Sequence, residues 1–253
     1  MNTNIQHETE QKQQKYYNSI ADVYDQHYHN THALKYRFSI YKRILKGIDF
    51  SGSRVLDAMC GGGENTGFFT KIAQKVEGLD LSQRQCEIYE ERYPDLEVKC
   101  ASVTSTGYPD ESFDFIVTDS LHHTHPYVDE TVRELWRILK PNGRLLIWEP
   151  SAGSIMNLAR KLWYSLDRSY FEENEKAISL KSLSSKHSAL FDLEKQNYGG
   201  NLAYLLVQES MVFRVPPKFI KYYANPLISV DAFFEKFQTE LTSCWVLGLL
   251  RKK

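Results

Sequence analysis

The sequence predicts an α/β fold: a mostly parallel, seven-stranded sheet with helices on both faces, helices capping its N-terminal side and a helical insertion before the last strand. Three observations predict it. From residue 53 onward, short apolar runs alternate with helical stretches. The first run enters a glycine turn, "VLDAMCGGGENT" at residues 55–66, the pattern of a strand that meets a ligand at its carboxyl end. Finally, 253 residues with 42% apolar and 25% charged side chains suffice for one large domain carrying an insertion.

The elements follow in order. Residues 1–15, "MNTNIQHETEQKQQK", are polar and lack the apolar stretch of a signal peptide, so a disordered tail on a cytoplasmic protein is expected. Residues 16–253 then read as a single domain. Cap helices cover 16–50, where "YRFSIYKRILKGI" has apolar residues at helical spacing and Gly47 supplies a stop. The core spans 51–150, with strands at "SRVLDAM", "KVEGLDLS", "LEVKC", "FDFIVTD" and "GRLLIWEP". A helix over 65–74 joins the first two strands, another is ended by "YPD", and "DETVRELWRILKPNG" is a helix closed by a Pro-Asn-Gly turn. "ALFDLEKQNYG" supplies a sixth strand and "LTSCWVLGLLRKK" the last. Between them, 199–240 is a helical insertion interrupted at Pro216-Pro217 and at Pro226.

A formal net charge of -1 provides no global field for nucleic acid, so no nucleic-acid partner is expected. Cys60, Cys86, Cys100 and Cys244 are scattered without a CxxC pair and read as free thiols in a reducing compartment. No apolar run approaches the ~20 residues that span a bilayer.

The glycine turn narrows the ligand. Glycines allow close approach and positive φ, and Asp80, ending the second strand, can accept hydrogen bonds from both ribose hydroxyls. The ordered set of strand, Asp57, glycines, helix, strand and Asp80 points to an adenosine-containing ligand. Asp57 and Glu64 would repel a diphosphate but suit a ligand with an amino group and a positive centre. Met59 stands where a dinucleotide fingerprint needs its first glycine, which argues against a nicotinamide dehydrogenase.

These motifs resemble the core of the class I S-adenosyl-L-methionine-dependent methyltransferases, in the broad group that includes the ubiquinone/menaquinone enzymes. Such proteins read VLD-x-G-C-G-x-G, against Val55-Leu56-Asp57-Ala58-Met59-Cys60-Gly61-Gly62-Gly63 here. Further matches are "GLDLS", "YPDESFDFIV", "LHH" and "ELWRILKPNGRLLI", with "YYNSIADVYD" resembling the helix that lays an aromatic over the cofactor. The resemblance covers about residues 16–150. It implies a Rossmann-like fold, S-adenosyl-L-methionine as cofactor and S-adenosyl-L-homocysteine as product. By the same resemblance, cofactor contacts fall on Tyr24, Asp57, Met59, Cys60, Gly61, Gly63, Asp80, Leu81, Ser102, Val103 and Asp119. Two positions depart from the pattern. Met59 replaces the first glycine, and Ser102 aligns with an acid that contacts the adenine amino group.

Methyl transfer needs alignment, exclusion of water and, for an oxygen acceptor, a base. "DSLHHTHP" places His122, His123 and His125 after the fourth strand. His123 is the first candidate base and His122 the second; the alternative, that they line the pocket or bond the backbone, stays open. No acid cluster completes a metal site with them, so no metal is expected. Glu149, ending the fifth strand, could orient an acceptor hydroxyl or cap the next helix. Tyr16 and Tyr17 join Tyr24 as aromatic candidates beside the sulfonium.

Acceptor choice is assigned to the insertion. Leu202, Leu205, Leu206, Phe213, Tyr222 and Tyr223, with Arg214, Lys218 and Lys221, suit either a lid or a surface for a hydrophobic acceptor. The expected partner is a small-molecule or lipid-linked substrate such as a lipid-linked glycan, methylated on a sugar or hydroxyl oxygen. The expected location is cytoplasmic with peripheral membrane contact. The rival reading is a cofactor-binding protein without methyl transfer, acting as regulator or partner subunit; aminopropyl transfer lacks the acidic cluster a polyamine needs.

Overall fold

The computed structural model describes residues 3–166 and 176–253. One seven-stranded sheet runs in the order β3-β2-β1-β4-β5-β7-β6. Its strands are β1 (Arg54–Ala58), β2 (Lys75–Asp80), β3 (Glu97–Cys100), β4 (Phe113–Thr118), β5 (Leu139–Pro150), β6 (Phe191–Gly199) and β7 (Trp245–Lys252). All neighbours pair in parallel except β7, which runs antiparallel to both β5 and β6. The predicted mostly parallel, Rossmann-like sheet is therefore present.

Two apolar layers sandwich the sheet, as a parallel sheet requires. Adjacent residues part to opposite faces: Val55 and Leu146 join one cluster with Tyr36, Ile40 and Tyr41, whereas Leu56 and Leu145 join the other with Val132, Leu135 and Ile138. The first layer is built on α2 (Thr31–Ile44), which buries Ala33, Tyr36, Arg37, Ile40, Tyr41 and Ile44 at helical spacing. The Asn30 side chain caps it by accepting from the His32 and Ala33 N–H groups. The second layer rests on α5 (Val128–Ile138), whose Val128, Val132, Leu135 and Ile138 form its inner stripe. The intervening helices are α3 (Thr66–Phe69) and α4 (Gln83–Arg92); after β5 come α6 (Ile155–Leu166) and α7 (Leu180–Lys186).

Four expectations are corrected. Residues 1–15 were expected as a disordered tail, yet α1 runs from Thr3 to Tyr28. Its polar side chains hold it: Gln6 donates to Thr104 Oγ1 at 2.7 Å, Gln13 to the His123 carbonyl at 2.5 Å and Gln14 to the Leu81 carbonyl at 2.9 Å. The helix expected over 65–74 stops at Phe69, because the Gln74 and Lys75 N–H groups already bond the Ser53 carbonyl to start β2. Leu139 belongs to β5, paired with Phe113, so the Pro-Asn-Gly sequence bends a strand, with Asn142 at φ 61°, rather than closing a helix. In the insertion, a π-helical turn at Tyr204–Gln208 precedes α8 (Pro217–Ile220) and α9 (Ala224–Phe234). Pro226 lies in the first turn of α9, where its missing N–H costs nothing, so it starts that helix instead of breaking it.

Candidate functional site

Strand order reverses between β1 and β4, so a crevice opens beyond their carboxyl ends. The glycine turn fills its inner edge. Met59 adopts φ 59°, Gly61 φ 52° and Gly63 φ 93°. The Gly61 N–H donates to Asp80 Oδ2 at 2.9 Å, and Asp80 Oδ1 accepts from the Ser82 N–H at 2.8 Å. A single carboxylate thus fixes both the turn and the start of α4, and burial raises its pKa.

The cofactor residues named from sequence divide into two sets. Tyr24, Met59, Gly61, Asp80, Leu81, Ser102, Val103 and Asp119 all line one cleft under α1. Asp57, Cys60 and Gly63 stand behind the turn. Asp57 is fully buried and accepts from Asn65 Nδ2 at 3.0 Å, the Thr66 N–H at 2.9 Å and Thr66 Oγ1 at 2.8 Å. It therefore anchors α3, and burial pushes its carboxyl up to about 7. Cys60 is buried, and a Cβ on Gly63 would lie 2.4 Å from the Tyr93 ring, so that glycine serves packing as well as positive φ.

The cleft also holds residues the sequence did not assign to it, Glu10 and Gln13 from α1 among them. Its volume is about 90 Å³, below the ~300–1,000 Å³ of ordinary ligand pockets, because α1 lies closed over it. Glu64 lines it too, buried, with its Oε1 lacking a hydrogen-bond partner among the described residues. Burial pushes that carboxyl up to about 8, opposed by the nearby Arg37 guanidinium. Asp25, His29 and Glu64 each bring a ligand atom within 4.8 Å of the others. Arg92 nevertheless donates to Asp25 at 2.8 Å, so a guanidinium already supplies that cluster with positive charge.

A second cavity of about 330 Å³ adjoins the first. Tyr28, Trp148, Met156, Tyr204, Leu205 and Phe213 give it largely apolar walls, and Glu149, His122 and Arg37 supply polar groups. Glu149 Oε1 accepts from the Leu121 N–H at 2.7 Å, and its Oε2 contacts His122 Nδ1 at 2.7 Å. Burial pushes the Glu149 carboxyl up to about 8, against the lowering effect of the Leu121 N–H. Glu149 thus orients His122 and does not cap the following helix. His123 Nδ1 contacts the Tyr17 hydroxyl at 2.8 Å, and the two histidine rings lie 3.9 Å apart. His125 lines neither cavity.

Tyr17, Tyr24, Asp119, Ser120 and His123 line both cavities and form their common wall. Arg37 is the principal residue that sequence reasoning missed. It is buried, ion-pairs with Asp119 and donates to Asn65 Oδ1 at 2.7 Å. Its signal was a charge on the apolar stripe of α2, three residues before Ile40.

Residues 56–147 match the family described as "Methyltransferase domain". The match covers little more than a third of the chain and carries the likeness to a methyltransferase domain for that stretch. A similar relative is a phthiotriol/phenolphthiotriol dimycocerosates methyltransferase of Mycobacterium ulcerans, 29% identical over 112 residues, which are 43% of this chain and 41% of the relative. The chain spans about two fifths of the length of the curated relatives it matches. Among solved structures, a SAM-dependent methyltransferase from Archaeoglobus fulgidus aligns with TM-score 0.60 and 15% identity over 91% of this chain and 98% of that one. The [4+2]-cyclase SpnF aligns with TM-score 0.57 and 20% identity over 87% of this chain and 80% of that one. The methyltransferase fold thus also serves a different reaction, and the site must decide. The cofactor of the methyltransferase domain is S-adenosylmethionine. The residues fit it: the buried Glu64, whose Oε1 has no partner among the described residues, suits an ammonium, the Tyr24 ring a sulfonium and Asp80 a ribose.

Proposed function

We propose that this chain moves a methyl group from S-adenosylmethionine to a hydroxyl oxygen of a hydrophobic acceptor. The observation that carries the reading is the common wall: the narrow cleft that holds Glu64 and Asp80 and a larger, mostly apolar cavity meet at Tyr17, Tyr24, Asp119, Ser120 and His123. When bound, the cofactor supplies a methyl on an already activated sulfonium. The protein then has to align the acceptor, exclude water and take a proton. His122 is the base in this reading: Glu149 contacts its Nδ1 at 2.7 Å, and the residue lines the acceptor cavity. His123, first in the sequence ranking, is held by Tyr17 and by Gln13 and shapes the wall.

Apolar walls support a hydrophobic acceptor, and the name of the mycobacterial relative, a methyltransferase for phthiotriol and phenolphthiotriol dimycocerosates, supports a lipid one. At the insertion, Lys218 lies 5.1 Å from the Phe219 ring and Lys221 5.1 Å from the Tyr222 ring. Both aromatics are exposed, which suits peripheral contact with an anionic membrane that delivers the acceptor. No described helix is long and apolar enough to cross a membrane.

The test supplies methyl-labelled cofactor and an extract of the source cells to the purified protein, with Asp80→Ala as control, and partitions the label. Label in the organic phase that the control lacks is the expected result. Label confined to aqueous products would remove the hydrophobic acceptor. Binding of cofactor without any transfer would replace the enzyme with a cofactor-binding partner protein.

A further inference from the structure

The cofactor cleft is lined by acidic and aromatic groups, Glu64, Asp80 and Tyr24, which suit an amino acid bearing a sulfonium, and by Leu81, Val103 and Tyr127, which suit the faces of a planar base. Ser102, Thr104 and Glu10 line it too and form one hydrogen-bonded polar group. Glu10 reaches this group from α1, 92 positions away from Ser102 in the chain.

Three donors converge on one oxygen of Glu10. Ser102 Oγ donates to its Oε1 at 2.7 Å, Thr104 Oγ1 at 3.0 Å and Gln6 Nε2 at 3.1 Å. Ser102 Oγ and Thr104 Oγ1 also contact each other at 2.8 Å. A carboxylate used only to latch α1 would need one such bond. Here one oxygen is fixed from three sides, which sets the orientation of the second. An ionised carboxylate can only accept, so whatever group meets it in the cleft must donate.

We infer that Glu10, carried on the N-terminal helix, reads the 6-amino group of the adenine. This rests on the cofactor assignment above and goes beyond it. Ser102, on the segment after β3, cannot discriminate, because a hydroxyl both donates and accepts; it instead positions the acid that does. A carboxylate accepts from the 6-amino group of adenine and repels the 6-oxo group of hypoxanthine, and an unpaired polar group in a closed cleft is heavily penalised.

The test is calorimetric binding of S-adenosylhomocysteine and of S-inosylhomocysteine, which carries oxygen at position 6 and a proton on N1. It uses the full chain, Glu10→Gln and Glu10→Ala. The wild type is expected to favour the adenosyl ligand by at least ~10-fold. Glu10→Gln should bring that ratio close to one, since an amide can donate to the 6-oxo group, and Glu10→Ala should also compress it. A Glu10→Ala/Ser102→Asp chain, with the acid moved to the β3 side, should restore the preference. A residue that merely latches α1 would weaken both ligands equally and leave the ratio unchanged. That outcome, with both ligands still bound, overturns the assignment of Glu10 alone. Absence of S-adenosylhomocysteine binding by the wild type overturns both this assignment and the cofactor reading beneath it.

Discussion

Arg37, buried on α2, ion-pairs with the half-buried Asp119 just past the end of β4, and the same guanidinium nitrogen donates to Asn65 at 2.7 Å. Asn65 in turn bonds Asp57, and it accepts from the Tyr41 hydroxyl at 2.6 Å. Trp148 lies under the guanidinium, 4.9 Å from ring centroid to Cζ. The cap helix, the glycine turn and the wall between the cavities therefore share one polar network.

Breaking that network from one side should be costly. Arg37→Met removes the cation and leaves Asp119 without its ion-pair partner, a change that costs about 3–5 kcal/mol in a fully buried pair and less where one partner meets solvent, as Asp119 does. Urea unfolding should show that loss. Asp119→Asn, which keeps a hydrogen-bonding group, should cost less. A loss under about 1 kcal/mol for Arg37→Met would mean that the pair is solvated in solution.

Met59 should be more strained than useful. Its φ of 59° places a side chain in the left-handed region, where a non-glycine residue costs roughly 1–2 kcal/mol. Met59→Gly should raise stability by up to about 1 kcal/mol, the greater freedom of an unfolded glycine offsetting part of the gain. S-Adenosylhomocysteine should bind it at least as tightly. Weaker binding would show that the thioether contributes a contact worth more than the strain.

Ligand affinity should rise with pH. Burial holds the Glu64 carboxyl at about 8 and Asp57 at about 7, both above the ordinary carboxylate range. A raised carboxyl stabilises the folded state fully below its unfolded pKa, and that stability is lost as pH climbs through the folded value. The ligand-free chain should thus lose stability between about pH 4.5 and 8. An ammonium-bearing ligand needs the Glu64 carboxylate, so its affinity should increase across pH 6–8, by no more than about tenfold per unit. Titrations in buffers of different ionisation enthalpy should detect the released proton, and Glu64→Gln should abolish that release. A flat profile would remove the ammonium from Glu64.

The two histidines should separate by function. His122→Ala should lower turnover by about 10²–10⁴, the usual worth of a general base, with S-adenosylhomocysteine affinity unchanged. Glu149→Gln should lower turnover less and shift the pH–rate profile, because its carboxylate orients the imidazole. Full activity in His122→Ala would indicate an acceptor that needs no base.

Much of this fold was legible because its signals are local. Apolar runs gave the strands, and the glycine turn and Asp80 lie at strand ends, where position alone implies a ligand. What escaped was set by tertiary contact. The first residues looked like a tail because hydrophobic periodicity is blind to a polar face, yet Glu10, Gln13, Gln14, Tyr17 and Asn18 fall on one side of α1 and all bond the core. Asp57 was read as a contact for the cofactor, but a strand-end carboxylate can equally be turned inward by the first residues of the next helix, as Asn65 and Thr66 do here. The order of the two histidines could not be read from "LHH", since it depends on Glu149, 27 positions further along.

Helix α1 is anchored at Leu81 and Ser102 on the cofactor side and, through Gln13 and Tyr17, at His123 in the common wall. Neither cavity can gain or lose its occupant independently if both are latched by the same rod. Exchange then proceeds by a single unlatching event, in which both cavities open together. A chain that has to lift α1 to exchange its occupants can turn over no faster than that helix unlatches.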